Sequence, residues 1–171
     1  MGSHLVVMGV SGCGKTTIAT RIAARLGYSF AEGDDFHPGA NVAKMARGEP
    51  LNDADRAPWL QSLAAWIAAQ HAAGRSTVLA CSALKRRYRD TLRSGAPDSV
   101  FFIHLAVPRE ALVQRMKRRK GHYMPLELLD SQLQALEPLQ PDEPGITLDA
   151  SPAPDAIVER ALERLPTPLA N

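Results

Sequence analysis

The stretch Gly9-Val10-Ser11-Gly12-Cys13-Gly14-Lys15-Thr16 decides the fold. Its pattern, Gly-x4-Gly-Lys-Thr, is that of a phosphate-binding loop, and each residue type in it has a physical task. The glycines let the backbone turn tightly enough to aim several N–H groups at one phosphate, a concave nest of positive potential. Lys15 adds a point charge at the β- and γ-phosphates, and the Thr16 hydroxyl is the expected protein ligand of Mg²⁺. Thr17 follows in the first turn of a helix whose N-terminal dipole favours the same anion. Cys13 reads as a small filler, with an oxidisable thiol near the helix start as the lesser alternative. Gly9, Val10, Ser11, Gly12, Cys13, Gly14, Lys15, Thr16 and Thr17 are thus the expected ATP contacts.

Working outward, Leu5-Val6-Val7-Met8 reads as a buried strand before the loop, and residues 15–26 as a helix with Ile18, Ile22 and Leu26 on one face. Apolar runs near 28–30, 77–81, 100–107 and 146–148 alternate with helical stretches at 39–47, 53–73, 84–93, 125–136 and 152–165. A further helix opens at Pro108 and runs into a basic segment. Such alternation predicts an α/β protein: a three-layer αβα P-loop NTPase fold whose five-stranded parallel sheet is flanked by helices. Trp59, Leu63, Trp66 and Ile67 recur at helical spacing and read as core. No repeat or low-complexity linker interrupts the chain, so residues 1–171 form a single domain with a frayed tail. Met1-Gly2-Ser3-His4 reads either as native sequence or as a cloning remnant.

Composition narrows the class. A hydrophobic content of 45% and a charged content of 22% are those of an ordinary soluble domain, and a net charge of +2 gives no reason to expect a nucleic-acid partner. Charge is uneven, however, with basic runs at 85–93 and 115–120 that suit an anionic ligand or two solvated helix faces. No apolar run approaches the roughly 18 residues that span a membrane. With two cysteines and no targeting segment, a cytoplasmic location is expected.

Motifs around the loop favour a small-molecule kinase. No Asn-Lys-x-Asp segment for reading guanine occurs, and the third strand ends in Cys81-Ser82 instead of an acidic residue. The metal is then left to Thr16, phosphates and water. Arg115-Met116-Lys117-Arg118-Arg119-Lys120-Gly121-His122 reads as an arginine-bearing mobile lid, about residues 115–125, that covers the transferring phosphoryl group and excludes water. Gly33-Asp34-Asp35-Phe36-His37-Pro38 follows the second strand, so its carboxylates project from the carboxyl edge of the sheet, where ligands of open α/β folds bind. Asp34 is the candidate base or orienter of an acceptor hydroxyl. Asp35 reads equally as a helix cap, and His37, on residue type alone, as a turn residue.

Several stretches together resemble one family, the gluconate kinases, or gluconokinases. They are the phosphate loop from Met8, Gly33-Asp34 with His37-Pro38, and Asn41 with Lys44-Met45. Gly48-Glu49-Pro50-Leu51-Asn52-Asp53 follows, with Asp55-Arg56 and Pro58-Trp59-Leu60. Cys81-Ser82-Ala83-Leu84-Lys85, Tyr88-Arg89, Leu92-Arg93, Arg115 and Arg119-Lys120-Gly121-His122 complete the series. The family often carries Asp where Glu32 stands, and a longer apolar residue in the turn that Asp35-Phe36 occupies here. The resemblance implies an adenylate-kinase-like fold with the phosphate-loop strand central, and ATP-dependent transfer to the 6-hydroxyl of D-gluconate. It also implies a cytoplasmic homodimer of sugar-acid breakdown that feeds the pentose phosphate route.

Read through that resemblance, Lys15, Arg115 and Arg119 surround the phosphates, and Asp34 and His37 meet the substrate, with His122 beside them. A carboxylate rich in hydroxyls needs an arginine or lysine partner, and Arg56, Lys85 and Arg89 are the candidates. Asn52 and Asp53 pair with hydroxyls or cap the long helix, the cap being favoured for one of them. Asp149-Ala150-Ser151-Pro152 marks an expected edge of the adenine pocket. The alternatives are a shikimate-kinase-like enzyme acting on another small hydroxy acid, a non-catalytic nucleotide module and a polynucleotide kinase. The first of these would carry a Gly-Gly-Gly turn where Cys81-Ser82-Ala83 stands.

Overall fold

The computed structural model describes residues 2–118 and 126–166. Strand β1 (His4–Met8) leads through the phosphate loop into α1 (Lys15–Leu26) and on to β2 (Ser29–Glu32). A 3-10 turn over Gly33–Phe36 follows, then α2 (Gly39–Ala46) and α3 (Asp53–Ala72). Strand β3 (Thr77–Ala80), α4 (Arg86–Arg93), β4 (Val100–Ala106), α5 (Arg109–Arg118), α6 (Leu126–Ala135), β5 (Gly145–Asp149) and α7 (Pro154–Glu163) complete the order. The five strands are ordered β2-β3-β1-β4-β5 and all neighbours are parallel. This is the expected three-layer αβα arrangement with the phosphate-loop strand at its centre.

Every residue of β1 is buried because the strand has a neighbour on each side and helices over both faces. His4 is in register with Thr77 of β3 and with Val100 of β4. Leu5 and Val7 point into a core shared with Ile18 and Ile22 of α1 and with Ile157 and Val158 of α7. Val6 and Met8 point the other way, to Trp59, Leu63 and Ile67 of α3 and Leu92 of α4. An unbroken apolar run is therefore what a central parallel strand requires. Each large side chain so buried contributes about 1.5–3 kcal/mol.

Helix α3 starts at a capping box: Asn52 Oδ1 accepts from Asp55 N at 2.8 Å, and Asp55 Oδ2 accepts from Asn52 N at 2.9 Å. Asn52 is thus the cap of the Asn52-Asp53 pair. Pro58 lies inside α3 and has no N–H to offer the Ala54 carbonyl one turn back. Helix α4 begins at Arg86, later than the apolar pattern indicates, because Lys85 is extended (φ −109, ψ 148) and is its N-cap. Ala83, two residues earlier, is left-handed with φ 45.

Because all strands run the same way, the segments after β1, β2, β3 and β5 gather at one edge of the sheet. The phosphate loop, the Gly33 turn, the Cys81–Lys85 loop and the Ala150 loop are all there. Among the described residues no helix is long and apolar enough to cross a membrane.

Candidate active site

The phosphate loop leaves β1 at Gly9, whose φ of 148 suits glycine alone. A Cβ there would lie 2.7 Å from Cys13 Sγ and 3.0 Å from the Leu105 carbonyl oxygen. Cys13 is accordingly buried beneath the loop, in the place of a filler. Helix α1 begins after Gly14 without any side-chain cap, which leaves its first-turn amides directed at the loop. Lys15 Nζ donates to the Val10 carbonyl at 3.0 Å and is held over the loop. Thr16 Oγ1 donates to Glu32 Oε2 at 2.5 Å.

That last contact bears on the metal. Thr16 and Glu32 present a hydroxyl and a carboxylate side by side at the mouth of the loop, both hard oxygen donors. Among the described residues no group of three or more His, Cys, Asp or Glu could hold a metal. A site with so few protein oxygens fits Mg²⁺, which keeps several waters and rests otherwise on phosphate.

The turn after β2 is pressed tightly on β3: a Cβ at Gly33 would lie 2.5 Å from the Ala80 carbonyl oxygen. The Gly33 carbonyl accepts from Trp59 Nε1 at 2.8 Å. Glu32 caps this turn, accepting from Asp34 N, and the N-cap of α2 is Pro38 with no side-chain bond, so Asp35 does not cap that helix. Asp34 is exposed at the turn and lines a cavity of about 390 Å³. Ser11 and Lys15 of the phosphate loop line the same cavity, as do His37, Arg56, Trp59 and Ser82. One space therefore joins the phosphate loop to the acidic turn.

His37 stacks on Trp59 with ring centroids 4.2 Å apart and planes 14° from parallel. Burial holds its ring below the usual histidine range, with Asp34 opposing and Arg56 reinforcing, so it is neutral near pH 7. Arg56 donates to Tyr88 Oη at 3.2 Å and lies over the Tyr88 ring. Tyr88 in turn donates to Asp53, whose carboxyl this bond and Lys85 and Arg87 hold below the ordinary range. Asp53 thus anchors the frame behind the cavity.

Arg89, a candidate for the substrate carboxylate, does not line the cavity: it is fully buried and forms a two-pronged ion pair with Glu143, both side chains 0% exposed. Its remaining N–H groups go to the Ala83, Leu84 and Pro138 carbonyls. The guanidinium is satisfied by the protein itself and steadies the left-handed Ala83 turn. Lys85 also falls outside the cavity lining, because its ammonium is drawn 3.4 Å from Asp53 Oδ1. The basic run at 85–93 is largely neutralised in this way, with Arg86 on Asp142, Arg87 on Asp53 and Arg93 on Asp90.

Arg115 donates to the carbonyls of Gly12 and Ala150, at 3.2 and 2.7 Å. It ties the phosphate loop to the loop after β5, the expected adenine side. Arg119 and His122 lie outside the described residues, as does most of the lid segment.

Four contributors escaped the sequence reading. Glu32 was visible as an acidic strand end, but on β2 and not on β3. Trp59 is core, as its spacing indicates, yet it also floors the cavity. Ser82 lines the cavity from the loop after β3. Gln132 of α6 lines it too and accepts from Ser11 N at 2.7 Å, a contact across 121 positions that no local pattern signals.

A phosphate cradle opening onto a polar cavity with a carboxylate at its edge defines a P-loop kinase, and a model of the AAA domain family matches residues 5–139. The gluconokinase of Gluconobacter oxydans (strain 621H) is 51% identical over 92% of this chain and 88% of that protein. A crystal structure of a gluconokinase from Sinorhizobium meliloti 1021 superposes with a TM-score of 0.87 at 42% identity, covering 95% of this chain and 90% of that one. An unliganded sugar kinase from Janibacter sp. HTCC2649 gives a TM-score of 0.91 at 56% identity, covering 95% and 94%. The chain belongs to the gluconokinase family.

Proposed function

We propose that this enzyme transfers the γ-phosphate of ATP to the 6-hydroxyl of D-gluconate, giving 6-phosphogluconate and ADP. The observation that carries the reading is the single cavity lined by Lys15 and Ser11 on one side and by Asp34, His37 and Arg56 on the other. An acceptor hydroxyl and a loop-bound phosphate meet there, and relatives at this level of identity are named gluconokinases.

Each residue has a proposed task. Asp34 orients the 6-hydroxyl and takes its proton as the bond to phosphorus forms. Lys15 and the loop amides balance charge on the transferring group. Arg119 is the proposed lid cation over that group, with His122 beside the substrate. Thr16 would hold Mg²⁺ with Glu32 behind it, and the ion would supply positive charge that offsets the phosphates. Arg56 and His37 receive the carboxylate end of gluconate. We further place the enzyme in the cytoplasm as a homodimer, which sedimentation at assay concentration would confirm by twice the chain mass.

A coupled assay tests the substrate. ADP release is expected with gluconate and Mg²⁺, lost with excess EDTA, and minor with shikimate, nucleoside monophosphates or adenylyl sulfate. Equal turnover of shikimate would remove gluconate from the reading and leave the kinase.

A further inference from the structure

The protonation of His37 is decided by its neighbours. Its Nδ1 lies 3.1 Å from Asn41 Nδ2. The same end of the Asn41 amide lies 2.8 Å from the Asp55 main-chain oxygen, and a carbonyl oxygen only accepts. The amide end facing Asp55 is therefore the NH₂ group. Its second N–H is directed at His37 Nδ1, and a ring nitrogen that accepts carries no proton.

The arrangement is rigid on every side. Asn41 is 4% exposed in α2. Asp55 is fixed by the Asn52 capping box and by Lys44 Nζ at 2.7 Å. The His37 ring is clamped flat on Trp59. Among the described residues no group is hydrogen-bonded to His37 Nε2, and the ring lines the cavity.

We propose that Asn41 is a positioning residue that locks His37 as the neutral Nε2–H tautomer, so that His37 donates a hydrogen bond to an oxygen of the acceptor substrate and does not serve as a base. This rests on the acceptor-site reading above and sharpens it. The His37 N–H and the Arg56 guanidinium offer only donors, which selects an acidic or hydroxyl oxygen and refuses an ammonium at that point. Proton acceptance is left to Asp34. The charged groups bearing on the ring are Asp34 from the turn, Arg56 from α3 and the Lys44–Asp55 pair behind Asn41.

The test is long-range ¹H–¹⁵N NMR of the histidine-labelled full chain above neutral pH, with the His37 signals assigned by their loss in His37→Gln. A bare Nδ1 and a protonated Nε2 are expected; a protonated Nδ1 in the unmodified chain would overturn the proposal. Asn41→Asp presents a carboxylate to Nδ1, so the ring should take a proton there and titrate at higher pH. An unaltered tautomer and titration in that variant also sink the idea. In kinetics, His37→Leu should raise the gluconate KM by roughly 10- to 100-fold with a much smaller effect on kcat, the size of one lost hydrogen bond to a charged group. His37→Gln, whose side-chain NH₂ stands near the lost Nε2–H, should recover part of that loss. A collapse of kcat at unchanged KM in both variants would assign proton transfer to His37 and reject the donor role. The NMR arm needs no substrate, so absence of gluconate turnover in the unmodified enzyme would remove the proposed function and leave the tautomer to be judged separately.

Discussion

Arg89 and Glu143 form an ion pair from which water is excluded, and the guanidinium's other N–H groups hold the carbonyls of the Ala83 turn. Removing one partner leaves a buried charge alone, which costs about 3–5 kcal/mol. Arg89→Met should therefore unfold at much lower urea, while the gluconate KM of the folded fraction changes little. A large KM rise without loss of stability would return Arg89 to the substrate. Burial by itself lifts the Glu143 carboxyl, but the Arg89 fork and the Gln140 N–H outweigh it and hold it below the ordinary glutamate range. With the folded value below the unfolded one, this stabilisation is whole above about pH 4.3 and fades as pH falls through the folded value. Asp34 makes a different prediction. Asp34→Asn keeps the shape of the turn and removes the proton acceptor, so turnover should fall by roughly 10²-fold or more while ATP binding, read by calorimetry, persists.

At the scale of elements, the start of α3 links stability to the substrate side. The Asn52–Asp55 box caps the helix, Asp55 draws in Lys44 of α2, and the Asp55 carbonyl holds Asn41. Asn52→Ala removes one cap bond, worth about 1 kcal/mol. For a chain of this size that lowers Tm by about 2–4 °C, which calorimetry can read. A rise in the gluconate KM should accompany it, because Asn41 and His37 lose their backing. A cap acting on helix stability alone would leave KM unmoved.

At the scale of the molecule, the two edges of the sheet have separate chemistry. The carboxyl edge carries the phosphate loop and the acidic turn. At the amino edge His4 is fully buried, with Nδ1 2.8 Å from Thr77 Oγ1 and Nε2 3.2 Å from His71 Nδ1. Burial, with the nearby His71, pushes the His4 pKa down to about 4. The unfolded chain therefore takes up a proton first as pH falls below about 6.5. Stability is complete above that pH and declines down to about pH 4, by on the order of 3 kcal/mol at about 1.4 kcal/mol for each tenfold in proton affinity. Urea titrations at both ends of that window should show the loss, and His4→Phe should flatten it; an unchanged slope would mean that His4 is not the titrating group.

Local patterns decided much of this protein. The phosphate loop, the apolar run of β1 and the alternation of strands with helices are near-neighbour features, and they determined the parallel sheet, the central strand and the place of Asp34 at its carboxyl edge. What they left open are contacts between residues far apart in the chain. Arg89 and Lys85 lie in a polar segment after the third strand whose sequence shows their charge but not what meets it, and Glu143 and Asp53 meet those two only after folding. Gln132 reaches Ser11, and Asn41 reaches both His37 and Asp55, by the same route. Backbone turning and apolar period act over a few residues, and sequence records them directly. Desolvation, ion pairing and tautomer choice depend on which side chains the sheet and helices bring together, and only the tertiary structure decides that.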